Sequence, residues 1–209
     1  MPTAVVTGCN SGIGHAFARL LISEGHEVIA TDYVVGDNLK SLACRQFQLD
    51  VQSPESISAF VSSLSGKPIN MLLNVAGAMA KHEDDSLESV NKDTLTRIFE
   101  TNTFGPLLLT QALLPNLVDA SGAKIGIVSS RVGSIADNST GAMDHKNKGI
   151  VVSLLHPGIV KTGLDPTAAD TPEAVMPDEA ATKLWKVWQS KNMEDTGKFW
   201  HREGQELPW

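Results

Sequence analysis

The chain reads Thr7-Gly8-Cys9-Asn10-Ser11-Gly12-Ile13-Gly14. This glycine turn follows a β-branched stretch at Thr3–Thr7 and precedes residues 13–23, whose apolar side chains recur at helical spacing. A strand, a glycine-rich turn and a helix in this order are typical of a loop that binds the pyrophosphate of a dinucleotide, because glycine lets backbone N–H groups approach the phosphates. We therefore predict a dinucleotide site here, formed by Thr7, Gly8, Asn10, Ser11, Gly12, Ile13 and Gly14.

Strands alternate with helical periodicity along the rest of the chain. We predict strands over residues 27–31, 44–49, 69–75, 124–129 and 149–155, a helix opened by Ser53-Pro54-Glu55, a long helix over 93–117, a late helix over 177–190 and an edge strand over 198–200. Near-continuous apolar runs such as LLNV and KIGIVS are typical of buried parallel strands. The pattern predicts one α/β domain over residues 1–209, a Rossmann-like doubly wound parallel sheet.

Composition excludes several classes of partner. The net charge of −7 comes without a clustered basic face, which disfavours nucleic acid. We expect neither a membrane segment, since no apolar run approaches the ~20 residues that a spanning helix needs, nor a secretory leader. Cys9 and Cys44 lack the spacing of a disulfide framework, and the histidines lack metal-ligand spacing. These features predict a cytoplasmic protein with a small-molecule partner and no metal.

An acidic residue ends the predicted second strand, 18 positions after Gly14. The Asp32 carboxylate can accept hydrogen bonds from both ribose hydroxyls of an adenosine, and it repels a 2′-phosphate. Neither the glycine turn nor the residues directly after Asp32 include Lys or Arg to neutralise an extra phosphate. NAD is therefore favoured over NADP. The alternative, in which Asp32 only caps a turn, stays open but fits the register less well.

The glycine turn resembles the TGxxxGIG signature of the short-chain dehydrogenase/reductase family. Later segments resemble other motifs of that family in the same order: Asp50-Val51, Asn74-Val75-Ala76-Gly77, Asn102, Ser129-Ser130 and Pro157-Gly158-Ile159-Val160-Lys161-Thr162. The resemblance implies that Asp50 and Val51 contact the adenine and that residues 157–162 surround the nicotinamide amide. By the same resemblance, the further cofactor contacts come from Asp50, Val51, Asn74, Ala76, Gly77, Pro157, Gly158, Val160 and Thr162. Tyr33, directly after Asp32, is placed beside the adenosine end of the cofactor.

The resemblance also implies a reaction. In this family a hydride passes between a nicotinamide and a small carbonyl or alcohol substrate. By the same resemblance, Asn102 anchors the catalytic water network and Ser130, preferred to Ser129, orients the substrate. The segments SSRVGSIADNSTG, HPGIVKT and FWHREGQELPW are similar to the C-factor-like carbonyl reductase branch of the family.

The family's proton donor has no counterpart in this chain. Family members use a tyrosine whose pKa is lowered by a lysine four residues later, and here Tyr33 is the single tyrosine. The family pattern places that tyrosine just after Met143, yet residues 144–149 lead directly into the predicted sixth strand. We predict that the YxxxK segment and the helix between the fifth and sixth strands are missing near residues 143–149. Turnover should then fall by at least about 10²–10⁴-fold.

Several alternatives stay open. His145 or Lys146 could supply the proton, although a solvated loop position is favoured for both. Related enzymes dimerise through a four-helix interface, so a chain without one of those helices should dimerise differently or stay monomeric. The sequence is compatible with an impaired NAD-dependent oxidoreductase, with a catalytically silent NAD-binding module, and with a deletion or splice variant.

Overall fold

One sheet organises the residues that the computed structural model describes, which are 1–84, 89–129, 150–164, 168 and 171–208. Its strands are β1 (Thr3–Thr7), β2 (Glu27–Asp32), β3 (Arg45–Gln48), β4 (Met71–Asn74), β5 (Lys124–Val128), β6 (Val151–His156), β7 (Lys198–His201) and β8 (Glu206–Leu207). They lie in the order β3-β2-β1-β4-β5-β6-β7-β8. All neighbouring pairs are parallel except β7 with β8. The order reverses between β1 and β4, and a doubly wound sheet binds its ligand at such a point.

Helices cover both faces of this sheet. They are α1 (Gly12–Ser23), α2 (Asp37–Lys40), α3 (Pro54–Ser63), α4 (Lys92–Phe99), α5 (Gly105–Val118) and α6 (Pro177–Gln189). The predicted start of α3 is confirmed: the Ser53 hydroxyl accepts a hydrogen bond from the Ser56 N–H at 3.1 Å, and Pro54 occupies the first turn. The Rossmann-like single-domain fold is thereby confirmed over the described residues.

Two hydrophobic clusters show which helices pack on which face. Ala4 and Val6 of β1 belong to a cluster with Phe17 of α1 and Trp188 of α6. Val5, between them on the same strand, belongs to a second cluster with side chains of α3 and α5. Successive residues of a strand point to opposite faces, so α1 and α6 lie on one side of the sheet and α3 and α5 on the other.

The predicted long helix over residues 93–117 is interrupted. A π-helical turn at Glu100–Phe104 separates α4 from α5. The chain passes close to a neighbouring loop at this point, because a Cβ on Gly105 would lie 2.8 Å from Cγ2 of Val51. Helical apolar spacing does not reveal such a turn, since it adds one residue to a local ring and leaves the general period unchanged.

The closing strand is not at the edge of the sheet, so this part of the sequence prediction was wrong. β8 pairs antiparallel outside β7, with Phe199 opposite Leu207 and Trp200 opposite Glu206. Gly204, at a φ of +89°, supplies the left-handed conformation that lets the chain reverse. A two-residue strand is too short to show a period in sequence.

The described residues do not cover every region for which the sequence made a prediction. The predicted break near residues 143–149 lies outside them. Within them, no helix has both the length and the apolar character needed to cross a membrane.

Phe60 tests the packing of α3. Its side chain is fully buried, and its ring centroid lies 5.1 Å from that of Phe47. Phe60→Ala should lower the free energy of unfolding in urea by about 3–5 kcal/mol, because it leaves a cavity under the sheet. Val118→Ala, at a side chain that is half exposed, should change it by about 0.5 kcal/mol or less. Equal effects of the two substitutions would contradict the burial of α3 against the sheet.

Candidate functional site

The glycine turn has room for a ligand because three of its residues have no side chain. Gly8 and Gly12 adopt left-handed backbone conformations, with φ of +73° and +55°. A Cβ on Gly8 would lie 3.0 Å from the backbone N and Cα of Ala76, and one on Gly14 would overlap the carbonyl oxygen of Gly8. The first glycine therefore lets the turn approach β4, and the last lets α1 pack against the turn. This cradle fits the pyrophosphate of a dinucleotide.

The N-terminus of α1 opens at this turn. Ser11 is the N-cap residue in extended conformation, and its side chain makes no capping hydrogen bond. The partial positive charge of the twelve-residue helix is therefore available to an anion at its first turn. Ile13 anchors this end of the helix, since its side chain packs against the hydrophobic cluster of α1 and α6.

Thr7 joins the two strands on either side of the point where the strand order reverses. Its hydroxyl oxygen accepts hydrogen bonds from the N–H groups of Val75 at 2.9 Å and Ala76 at 3.0 Å. The threonine is buried, with an exposed fraction of 2%. The predicted cofactor segments after β1 and β4 therefore lie side by side.

Asp32 ends β2 beside the same turn. Its carboxylate accepts a hydrogen bond from the Asn10 N–H at 2.8 Å and another from the Val34 N–H at 2.9 Å. A carboxylate has about four acceptor positions, so those that remain are available to ribose hydroxyls. Tyr33 lies next to it, with a side chain that is 64% exposed.

The side chain of Asn10 bonds to the segment that follows β2. Its amide oxygen accepts a hydrogen bond from the Leu39 N–H at 3.1 Å, and its carbonyl accepts one from Asn38 at 3.0 Å. A Cβ on Gly36 would lie only 2.6 Å from the Asn10 amide. The asparagine thus fastens α2 to the glycine turn, and direct contact of Asn10 with the cofactor stays a prediction.

The predicted adenine wall lies at the end of β3. The Leu49 N–H donates to the Asp32 carbonyl at 2.8 Å, which brings this loop beside the end of β2. The Asp50 N–H donates to the Ser56 hydroxyl at 3.0 Å, and Val51 is 8% exposed. The bond from Leu49 therefore places the two predicted residues, which follow it in the chain, near the end of β2.

Asn102 closes the site from the π-helical turn. Its amide oxygen accepts from the Ala78 N–H, and its amide nitrogen donates to the Ala78 carbonyl, both at 2.8 Å. A Cβ on Gly77 would lie 3.5 Å from the same oxygen. The predicted catalytic side chain therefore acts on the backbone after β4, and the buried Asn74 holds the start of this segment with a bond of 3.4 Å to the Thr110 hydroxyl.

Residues 157–162 form the remaining wall. Val160 forms a parallel β-bridge with Val175, and the Lys161 N–H donates to the Val175 carbonyl at 2.9 Å. The segment then reaches the glycine turn, since a Cβ on Gly12 would lie 3.3 Å from Cγ2 of Thr162. The structure thus brings together the predicted pyrophosphate and nicotinamide segments, which are about 150 residues apart in sequence.

Sequence reasoning missed Arg202 at this wall. Its guanidinium Nη1 donates to the Pro157 carbonyl at 2.6 Å and fills the space in which a Cβ on Gly158 would stand. Gly158 itself has a φ of +71°. The segment FWHREG contained the arginine, but only the sheet pairing of β7 with β6 shows which loop it meets.

The substrate side is described only in part. Ser130, His145 and Lys146 lie outside the described residues. The neighbouring Ser129 follows β5, where its N–H donates to the Leu155 carbonyl at 2.9 Å. It therefore lies at the same edge of the sheet as the glycine turn.

Among the described residues, a cysteine also lies beside the cleft. Cys9 is buried under the turn, where its thiol donates to the Val6 carbonyl at 3.1 Å. Burial raises the pKa of this thiol far above its ordinary range, so it is not a thiolate nucleophile. Among the described residues, no three His, Cys, Asp or Glu side chains come together as a metal site would require.

Comparison with known sequences gives a consistent picture. A profile of the family described as short chain dehydrogenase matches residues 2–141. The 1-hydroxy-2-glutathionyl-2-methyl-3-butene dehydrogenase of Rhodococcus sp. (strain AD45) is 34% identical over 231 aligned positions, and the alignment covers 100% of both chains.

Solved structures share the whole fold. The NADPH-bound carbonyl reductase from chicken fatty liver superposes with a TM-score of 0.86 at 28% identity, covering 100% of this chain and 99% of that one. A short-chain dehydrogenase/reductase from Burkholderia multivorans with bound NADP gives a TM-score of 0.83 at 26% identity, with the same coverage.

Thr7→Val tests the link between β1 and β4. Valine has nearly the same shape but no acceptor, so two partly buried N–H groups lose their partner and the free energy of unfolding should fall by about 1–3 kcal/mol. Thr7→Ser keeps the hydroxyl and should lose about 1 kcal/mol or less. Urea titrations monitored by tryptophan fluorescence compare the two variants. A serine variant that is as unstable as the valine variant would show that the methyl group, and not the hydroxyl, matters.

Proposed function

Because the chain belongs to the short-chain dehydrogenase family, we propose that it binds NAD(H) along the carboxyl edge of its sheet. The observation that carries the choice of cofactor is the Asp32 carboxylate, held at the end of β2 by the N–H groups of Asn10 and Val34. The pyrophosphate would lie on the glycine turn, the adenosine against Asp32 and Asp50-Val51, and the nicotinamide against residues 157–162. When bound, the nicotinamide supplies or accepts a hydride.

The negative charge of Asp32 favours NAD over NADP. The chicken and Burkholderia structures hold NADPH and NADP, so the comparisons do not favour NAD. In this chain, two hydrogen bonds hold the Asp32 carboxylate at the end of β2, where we propose that the ribose hydroxyls bind. A 2′-phosphate placed there would meet a carboxylate of the same sign that its own bonds hold in place.

We propose that the family reaction, hydride transfer between the cofactor and a small carbonyl or alcohol, is impaired. Tyr33 is the single tyrosine, and it follows β2. Three strand spacings of ~4.8 Å separate β2 from β5, which puts it ~14 Å from the strand that precedes Ser129. It cannot give its proton to a substrate on that side. Asn102 and Ser130 would be the remaining members of the catalytic group.

The lengths of the alignments with relatives support this proposal. The alignment with the Rhodococcus dehydrogenase runs over 231 positions, whereas this chain has 209 residues, so at least 22 positions have no counterpart here. The match to the family profile ends at residue 141, beside the predicted break. Both facts fit a chain that lacks the YxxxK segment, whether by natural deletion or by splicing.

A catalytically silent NAD-binding module is the second candidate function. The position of Tyr33 favours it, since the cofactor end of the site is complete while the tyrosine is remote from the substrate end. Such a module would use NAD as a stabilising or sensing ligand through linkage between binding and folding, which needs no hydride transfer.

Two further proposals concern the setting of the protein. The free thiols of Cys9 and Cys44 suit the reducing environment of the cytoplasm.

α4, α5 and the turn between them expose large apolar side chains, among them Phe99, Phe104 and Leu107. We propose that this chain lacks the helix between the fifth and sixth strands, which complete relatives use in their dimer interface. Association through the exposed face of α4 and α5 should therefore differ from that of complete relatives.

Asp32→Ser tests the cofactor preference. Loss of charge-assisted hydrogen bonds worth about 1.5–3 kcal/mol should weaken NAD binding by about 10–100-fold. Removal of the negative charge should at the same time strengthen NADP binding, and calorimetric titration measures both changes. Asp37→Ser, at an exposed acid on α2, is the matched control and should change neither affinity. An unchanged NAD affinity in Asp32→Ser would contradict the proposed ribose contact.

Turnover separates the two candidate functions. NADH is added with a panel of ketones and aldehydes, and the nicotinamide absorbance is followed over time. We expect cofactor binding with a rate at least about 10²-fold below that of a relative with an intact tyrosine. Fast turnover would point to another proton donor, with His145→Ala the first variant to test. Failure to bind NAD or NADH would overturn the proposal itself.

A further inference from the structure

Arg202 connects the end of the sheet with the loop that forms one wall of the site. Its guanidinium Nη1 donates to the carbonyls of Pro157 at 2.6 Å and Ile159 at 3.5 Å, and Nη2 donates to the carbonyl of Glu173 at 3.4 Å. The backbone N–H of Arg202 donates to the His156 carbonyl at 3.0 Å. One residue thus contacts the chain before, within and opposite residues 157–162.

The contact is partly buried and depends on the shape of arginine. The side chain is 11% exposed, and its Nε lies 3.5 Å from a carboxylate oxygen of Glu203, which offsets the charge. Gly158 is left-handed and leaves the space in which the guanidinium lies. The rigid guanidinium donates from two separate nitrogens, Nη1 and Nη2, to three carbonyls, whereas the three N–H donors of a lysine ammonium leave from one nitrogen.

The sheet does not need this side chain for its own pairing. β6 and β7 pair through backbone hydrogen bonds in register from Ser153 with Lys198 to His156 with His201. The described hydrogen bonds of the Arg202 guanidinium run to carbonyls of the loop wall, beyond the end of that pairing. Its bonds therefore determine the shape of the loop and leave the sheet register to the backbone.

The loop carries this effect to the cofactor site. Ile159 and Lys161 pair with Val175 on one side, and Thr162 ends beside Gly12 of the glycine turn. A change at Pro157 or Ile159 would therefore shift the carbonyl and N–H groups of residues 157–162 relative to the pyrophosphate cradle. Asp32, at the proposed adenosine end, makes no described hydrogen bond with Arg202 or with residues 157–162.

We propose that Arg202 is a positioning residue that holds residues 157–162 in the shape that recognises the nicotinamide ring. The inference rests on the proposed binding of NAD(H). Removal of the Arg202 guanidinium should therefore weaken the binding of a complete dinucleotide more than the binding of the same molecule without its nicotinamide. The residue acts through the loop and need not touch the cofactor.

Binding of NADH and of ADP-ribose tests this role, because ADP-ribose keeps the adenosine and pyrophosphate but lacks nicotinamide. Calorimetry on the full chain should show that Arg202→Ala weakens NADH by about 10-fold or more, the equivalent of one charge-assisted hydrogen bond. ADP-ribose affinity should change less than about 2-fold, because ADP-ribose lacks the nicotinamide that residues 157–162 would hold. Arg202→Lys should recover part of the NADH affinity.

Lys183→Ala is the matched control. Lys183 also bonds Glu203, at 2.8 Å, but makes no described contact with residues 157–162, so both affinities should stay unchanged. Equal weakening of NADH and ADP-ribose in Arg202→Lys would mean a general structural role and overturn the inference. So would an unchanged NADH affinity in Arg202→Ala. If the unaltered chain bound neither ligand, the proposed function would fail as well, whereas equal tight binding of both would overturn only the role of Arg202.

Discussion

The close approach of β1 and β4 at their carboxyl ends is the constraint on which the rest of the site depends. The Thr7 hydroxyl accepts hydrogen bonds from two backbone N–H groups of the neighbouring loop. Gly8 has no side chain, and the close approach of that loop leaves no room for one. A larger residue at position 8 would separate the strands, and a hydroxyl lost at position 7 would leave two partly buried donors without a partner. The cleft exists because these two conditions are met together.

Side chains that face away from the proposed ligand shape the walls of this cleft. Asn10 ties α2 to the glycine turn, Asn102 ties the π-helical turn to Ala78, and Arg202 ties the end of β7 to Pro157. Each acts through backbone carbonyl or N–H groups of a loop. Loops are otherwise the most mobile parts of such a fold, so bonds of this kind set the geometry that a cofactor meets.

Binding and chemistry draw on different parts of the chain. The proposed cofactor contacts come from the ends of β1 to β4 and from residues 157–162, all of which are described. The proposed loss of proton transfer concerns the region after β5, where we propose that the chain lacks the family's YxxxK segment. A chain of this construction would keep the ligand-binding half of its site intact while losing the proton donor, which is why affinity and turnover are independent measures of its function.

The sequence by itself determined the doubly wound fold, because each buried strand and each helix-opening signal is local: the glycine turn, the Ser53-Pro54 start of α3 and the apolar runs of β4 and β5 were all readable. The acid at the end of β2 and the absence of a second tyrosine were readable too. Only the tertiary structure decided that Asn10 and Asn102 bond to backbone, that a π-helical turn interrupts the long helix, and that Arg202 meets Gly158. These depend on contacts between residues far apart in the chain, where side-chain direction and backbone spacing, which no local pattern encodes, determine the partner.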